Sequence, residues 1–311
     1  MKKFALFLVL ASLAFGGSYF LSLKQRPQPI GERSLIQENQ NGKGAEASFK
    51  PNPFPLQNRF FTIVLIGMNQ GATLEKAFAS LFSQNYENYR IVYIDDASED
   101  GSYDLASDLI CESSQARRVT AVKNEKEIGF LANLDRAVET CEEGEIVVVL
   151  TGDDWLAHEW VLQRLNSYYS DPDLWIACGS FCKTPFYERE NGVLSAPANA
   201  RREWMSTPHL KTFYAGLFKK IDRSDFLHRG KHLAAFSEGA FMIPMLEMAR
   251  DHFYAIPEVL SIRNHEAFPK EPPEALQQCE QKVRSLASYS ALNSLFSYER
   301  IEELAEGEEI E

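Results

Sequence analysis

The chain has 311 residues, of which 45% are hydrophobic and 21 are Phe, enough for a large buried core, which excludes a globally disordered protein. Its formal net charge is −12, with acid concentrated at the C-terminal end in Glu302, Glu303, Glu306, Glu308, Glu309 and Glu311. That balance, without any Lys/Arg stripe, argues against nucleic acid as the main partner, and residues 299–311 read as a solvated acidic tail.

Lys2 and Lys3 precede a mostly apolar run from Phe4 to Leu23, broken only by Ser12, Gly16, Gly17, Ser18 and Ser22. At ~1.5 Å per residue the run just reaches across a bilayer core, so residues 1–23 are expected to form an uncleaved single-pass membrane anchor. The rival is a signal peptide cleaved near Ser12-Leu13-Ala14, giving a secreted or lumenal protein. Apolar character continuing through Phe15, Tyr19, Phe20, Leu21 and Leu23 favours the anchor. Lys24, Arg26 and Arg33 balance Lys2 and Lys3, so charge barely sets the orientation. The absence of an N-x-[S/T] acceptor leans toward the cytoplasmic face of a bacterial inner membrane. Residues 24–57, polar and punctuated by Gly and Pro, read as a flexible linker.

Folding is expected to begin near Phe60. Phe60 to Met68 is a near-continuous apolar run, the pattern of a strand buried on both faces of a parallel sheet. Leu74, Ala77, Phe78, Leu81 and Phe82 then form one apolar helix face. Arg90 to Ile94 is a second strand ending at Asp95-Asp96, followed by a helix that Ser102 is expected to cap. Val119 to Val122 is a third strand, and Leu131, Leu134, Ala137, Val138 and Cys141 mark another helix. Glu145 to Leu150 is the fourth strand, ending at Thr151-Gly152-Asp153-Asp154. A helix through Val161, Leu165 and Tyr168 and a strand at Leu174 to Cys178 follow. The alternation predicts right-handed βαβ units, hence an α/β fold with a Rossmann-like, mostly parallel sheet flanked by helices. Farther on, Phe241 to Met248 reads as a buried helix interrupted or started by Pro244, and Pro273 to Phe296 as an amphipathic closing helix.

Ligands of an open parallel sheet bind beyond the carboxyl ends of its strands, and the sequence puts an aspartate pair at two such ends, Asp95/Asp96 and Asp153/Asp154. Adjacent carboxylates repel, so two pairs on one rim call for something positive, usually a hard divalent cation completed by substrate phosphates. Each aspartate taken singly is also an ordinary helix N-cap. There is no GxGxxG after the first strand and no GxxxxGK[ST], which disfavours a dinucleotide dehydrogenase and a P-loop NTPase. Cys111, Cys141, Cys178, Cys182 and Cys279 are unmatched in spacing and read as reduced thiols rather than a disulfide framework or zinc knuckle. His209 reads as a surface or core-edge histidine, Trp155 as a core filler or sugar platform, and Lys219, Lys220 and Arg223 as a solvated face.

Ile94-Asp95-Asp96-Ala97-Ser98-Glu99-Asp100-Gly101-Ser102 resembles the V-D-D-G-S-x-D-G-T signature of family 2 glycosyltransferases. Lys123-Asn124 with Ile128-Gly129-Phe130 resembles that family's R-N-x-x-x-x-G segment, and Leu150 to Leu156 its L-D-x-D-D-W-L metal motif. Order and spacing agree from about Phe61 to Trp155, with looser likeness at Ser237-Glu238 and Arg263-Asn264-His265. The resemblance implies a GT-A fold over residues 58–298, with a nucleotide-sugar-binding half (58–182) and an acceptor-side half (183–298). It implies inverting, Mg²⁺- or Mn²⁺-dependent transfer from a nucleotide-diphosphate sugar, a UDP-sugar favoured, to a glycan, lipid or protein hydroxyl.

By the same resemblance Asp96 would hold the nucleotide base, with Asp95 or Asn124 supporting base or ribose. Asp153 and Asp154 would carry the metal, with His265 completing its sphere, and Glu238 would be the general base. The chain departs from the pattern twice: Thr151 replaces the first aspartate of the metal motif, and Glu238 replaces the expected catalytic aspartate. Those departures motivate an alternative, a membrane-anchored nucleotide-sugar- or glycan-binding protein without turnover. A nucleotidyltransferase is disfavoured because Gly67-Met68-Asn69-Gln70-Gly71 has no Lys or Arg to hold a triphosphate.

Overall fold

The computed structural model describes residues 55–185, 187–190, 200–203, 209–264 and 273–296, all within the compact unit Lys50–Glu311. Residues 1–23, most of the 24–57 linker, and the acidic tail 299–311 lie outside the described residues. Among the described residues no helix is long and apolar enough to cross a membrane. The expected single-pass anchor and the localisation built on it are therefore withdrawn, and the Phe4–Leu23 run on which they rested lies outside the described residues.

The regular first part follows the apolar periodicity. Strand β1 (Phe61–Gly67) is buried at every residue, as a strand covered on both faces must be. Helix α1 (Gly71–Phe82) buries Leu74, Ala77, Phe78 and Leu81. Then come β2 (Tyr89–Asp95), α2 (Ser102–Glu112), β3 (Val119–Lys123), α3 (Phe130–Glu139) and β4 (Ile146–Thr151). β1 lies between β2 and β4 and β2 pairs with β3, all parallel. The chain steps outward from β1 to β3 and then back across β1 to β4. Right-handed crossovers put helices of opposite direction on opposite faces, so α1 and α2 cover one face and α3 the other.

Beyond β4 come β5 (Asp154–Leu156), α4 (Val161–Tyr168), β6 (Ile176–Thr184), β7 (Glu188–Glu190), α5 (Ala200–Glu203), β8 (Lys211–Tyr214) and α6 (Ala215–Lys219). The hairpin strands β9 (Leu227–His228) and β10 (Lys231–His232), then α7 (Ser237–Ala249), β11 (Phe253–Asn264) and α8 (Pro273–Ser285), complete the described chain. The main sheet runs β3-β2-β1-β4-β8-β6-β11-β5, with β7 on β6. β8 is antiparallel to both β4 and β6, and β5 is antiparallel to β11. The sheet is thus mixed, not mostly parallel as expected. Parallel neighbours need a crossover of a dozen or more residues, usually a helix, and that rhythm stops at β4. β5 begins a few residues after β4 yet pairs at the far edge of the sheet, which ties that edge back to the middle and curls it.

Other local expectations are also corrected. Ser102 is the first residue of α2 and not its cap: Asp100 Oδ1 accepts the Ser102 N–H at 2.9 Å after Gly101 at φ 85°. α7 runs through Pro244 without a break, since burial from Gly239 to Ala249 on all sides outweighs the one backbone hydrogen bond proline removes. α8 stops at Ser285 because the following chain finds other partners: Tyr289 N–H donates to Glu247 Oε2 at 3.0 Å and Leu292 N–H to Met248 O at 3.0 Å.

The Glu247 carboxylate also receives Arg201, Nη2 to Oε2 at 2.6 Å, with both side chains under a tenth exposed. Removing one member of a buried pair leaves the other charge without solvent or partner. Glu247→Ala is expected to lower unfolding free energy by about 3–5 kcal/mol in urea titration. A loss below ~1 kcal/mol would show that the pair is energetically like a surface one.

Candidate active site at the switch point of the sheet

The strand order reverses between β1 and β4, so the crevice predicted for an open α/β sheet lies beyond Gly67 and Thr151. The β1–α1 loop bridges the two aspartate pairs there. Gly67 O accepts the Asp96 N–H at 2.8 Å, Asn69 N–H donates to Ser98 Oγ at 2.8 Å, and Gln70 N–H to Ser102 Oγ at 3.0 Å. On the other side Gln70 Nε2 donates to Asp153 Oδ1 at 3.2 Å.

The first pair shapes an open cleft of about 720 Å³ whose lining includes Met68, Asn69, Ala97, Ser98 and residues 123–127. Asp95 stands behind it, fully buried, with Oδ1 accepting the Ser98 N–H at 2.9 Å and Oδ2 within 3.3 Å of the Tyr93 hydroxyl. Asp96 holds the far wall: Oδ1 accepts from Asn124 Nδ2 (2.8 Å) and Ile128 N–H (3.0 Å), Oδ2 from Gly129 N–H (2.8 Å). A carboxylate offers roughly four lone-pair sites, so three bonds leave Asp96 one acceptor position.

The second pair sits in a tight turn. Gln70 threads between two glycines: a Cβ on Gly152 would lie 2.0 Å from Gln70 Oε1 and 3.2 Å from Gly67 Cα. Gly152→Ala is expected to eject the Gln70 side chain from Asp153 and cost about 1–3 kcal/mol through overpacking. Thermal or urea unfolding of the variant checks this; wild-type stability would mean that the turn opens freely.

Asp154 begins β5 opposite Arg263 of β11 and is fully buried. Its Oδ2 takes the Thr151 hydroxyl, and its Oδ1 takes the Asn264 N–H at 3.3 Å. His209 Nε2 lies 2.6 Å from the same Oδ2, close without meeting hydrogen-bond geometry. The Leu210 N–H donates to His209 Nδ1 at 3.0 Å, so the ring proton is on Nε2. Burial, then the Lys211 and Arg263 charges, push the His209 pKa well below the usual imidazole value, which keeps the ring neutral. Burial, then the Asp153 charge, raises the Asp154 carboxyl to about 7, and burial raises Asp153 as well.

Two adjacent buried carboxyls, both pushed toward the neutral form, are a fit for a hard cation that would restore their charge. Asp154 has both oxygens engaged, whereas the Gln70 bond occupies only Oδ1 of Asp153, so Asp153 is the better placed ligand. Among the described residues no group of three or more His, Cys, Asp or Glu forms a cage, so the remaining ligands would have to include substrate phosphate or water. His265, expected to complete the sphere, lies outside the described residues.

Glu238 is carried by α7. Phe236, at φ 56° in the left-handed region, precedes the helix, and Glu238 lies in its first turn. Lys211 Nζ meets Glu238 Oε1 at 2.8 Å; the lysine side chain is 5% exposed and that of the glutamate 41%. Lys211 lies opposite Val149 in the β4–β8 register, beside the end of β4. Sequence reading took His209 as a surface or core-edge histidine and gave Lys211 no role; the short strand β8, which the sequence did not mark, sets both positions.

The family model described as "Glycosyl transferase family 2" matches residues 62–229. A Haemophilus influenzae protein called an uncharacterized glycosyltransferase is 24% identical over 144 residues, covering 46% of this chain. The chain spans only 42% of that relative's length. The crystal structure of S. aureus TarS 1-349 in complex with UDP is similar in fold, with a TM-score of 0.54 at 14% identity, over 72% of this chain and 64% of that one. A second crystal structure of S. aureus TarS 1-349 is similar in fold with a TM-score of 0.52 at 14% identity, over 66% of this chain and 60% of that one.

Proposed function

The chain belongs to glycosyl transferase family 2, and from that membership we propose that it transfers a sugar from a nucleotide-diphosphate donor to an acceptor hydroxyl with inversion. The observation that supports the proposal is the pairing, on the carboxyl-end rim of the sheet, of an open cleft beyond β1, β2 and β3 with the buried Asp153/Asp154 turn after β4. A UDP-sugar is the favoured donor, because Asp96 keeps one acceptor position for a ring N–H, with Asn124 lining the cleft. Asp95 contributes from behind by fixing the turn that carries Ser98 into the cleft.

Mg²⁺ or Mn²⁺ bound through Asp153, with Asp154 behind it, would offset the charge developing on the leaving diphosphate. His265 is retained as a proposed further ligand. Glu238 takes the proton of the acceptor hydroxyl as that oxygen attacks the anomeric carbon and the bond to the diphosphate breaks. Lys211 fixes the longer glutamate side chain in position through its 2.8 Å contact. Attack opposite the leaving group inverts the anomeric centre. Residues 58–182 would serve the donor and 183–298 the acceptor, a glycan, lipid or protein. With β8 wedged between β4 and β6, one sheet runs through both halves.

Stereochemistry tests the mechanism. With an α-linked UDP-sugar, the ¹H NMR spectrum of the transferred or hydrolysed sugar taken early in the reaction is expected to show the β anomer. An α product would rule out a single displacement by Glu238-activated hydroxyl.

A further inference from the structure

A second cleft, of about 430 Å³, lies between the β9–β10 hairpin and helix α8 and is lined by His228, Arg229, Gln278, Gln281, Lys282 and Ser285. The four helical positions are i, i+3, i+4 and i+7, a single stripe, while the intervening Cys279 and Val283 turn into the core. None of the six is acidic, in a chain whose net charge is −12. The nearby Glu280 is engaged by Arg284 at 2.8 Å. Among the described residues Arg229 and Lys282 make no ion pair, and His228 Nε2 is buried with no hydrogen-bond partner.

The hairpin turn is itself unusual. Arg229 (φ 52°) and Gly230 (φ 76°) both adopt left-handed backbone, as a two-residue turn of the I′ type requires. The first such position prefers Asn, Asp or Gly, and an arginine there carries a conformational cost. Strain of this kind points to a role for the side chain beyond the turn.

We propose that this cleft binds a phosphate group carried on a sugar-sized ligand, with Arg229 and Lys282 meeting the anion and His228, Gln278, Gln281 and Ser285 supplying further hydrogen bonds. Guanidinium and ammonium groups without carboxylate partners are the usual phosphate receptors, and amide and hydroxyl groups suit a saccharide's hydroxyls. The site is independent of the donor cleft and of the reading built on it.

The test titrates the full chain with inorganic phosphate and with glucose 1-phosphate at constant ionic strength, following histidine imidazole resonances by ¹H–¹⁵N NMR. The comparison is Arg229→Gln/Lys282→Gln, exchanged on the surface and checked for an unchanged melting temperature. Saturable binding that moves the His228 resonance and weakens at least ~10-fold in the double variant is expected, the loss of one charged hydrogen bond being sufficient. Tighter binding of glucose 1-phosphate than phosphate supports a phosphosugar ligand. Equal affinities would overturn the sugar part of the proposal. Unsaturable shifts, or the same affinity in the double variant, would overturn the site.

Discussion

Glu238→Gln is expected to lower kcat by about 10²–10⁴-fold while leaving donor affinity unchanged, the range for loss of a positioned general base. The amide oxygen of glutamine still accepts from Lys211 Nζ, at 2.8 Å in the wild type, so the geometry of α7 is retained and only the proton acceptor is lost. Steady-state kinetics with a competent acceptor, alongside donor binding by calorimetry, separate the two effects. Glu238→Asp restores the residue expected of the family but withdraws the carboxylate by one methylene from Lys211, and a displacement of ~1 Å can itself cost ~10²-fold. Wild-type turnover in Glu238→Gln would remove this residue from the chemistry.

Asp153→Asn is expected to reduce Mn²⁺-dependent affinity for a UDP-sugar by at least ~10–100-fold, the loss typical of groups that only support a metal ligand. The substitution keeps an oxygen for Gln70 Nε2, at 3.2 Å in the wild type, and removes the charge alone. Donor calorimetry with and without Mn²⁺ reads the effect directly: the metal-dependent part of the affinity should disappear. Asp154→Asn should weaken binding too, but by another route. Its new amide group would face the His209 Nε2–H in one orientation and the Asn264 N–H in the other, so donor meets donor and the turn beneath Asp153 is disturbed. Undiminished Mn²⁺-dependent binding in both variants would remove the metal assignment.

The first half of the fold was legible because β1, α1, β2 and β4 each announce themselves by burial pattern, and because Asp95/Asp96 and Asp153/Asp154 fall where those strands end. The α/β character and the family both followed from that stretch. Beyond β4 the longer elements were legible too, as the helix through Val161, the strand near Leu174 and the helices around Phe241 and from Pro273, but the short strands were not. β5, β8, β9 and β10 are two to four residues long, too short for periodicity to register. Their partners are set by long-range pairing that leaves no local mark.

The partners of the site residues illustrate the same limit. His209 reads as a bland histidine until β8 is inserted antiparallel beside β4, which brings it to Asp154. Lys211 acquires its meaning from a glutamate 27 positions away. Ser102 was expected to cap a helix, yet Gly101 holds the cap position, Asp100 accepts the Ser102 N–H, and the serine hydroxyl instead braces the Gln70 backbone.

The measurement closest to the central claim is release of UDP or another nucleoside diphosphate by the full chain, across a panel of nucleotide sugars, with Mn²⁺ and with the metal removed by chelation. Release from one donor above the uncatalysed rate, present with Mn²⁺ and lost on chelation, is the predicted result. A folded protein that releases nucleoside diphosphate from none of the donors, with candidate acceptors supplied, would contradict the account.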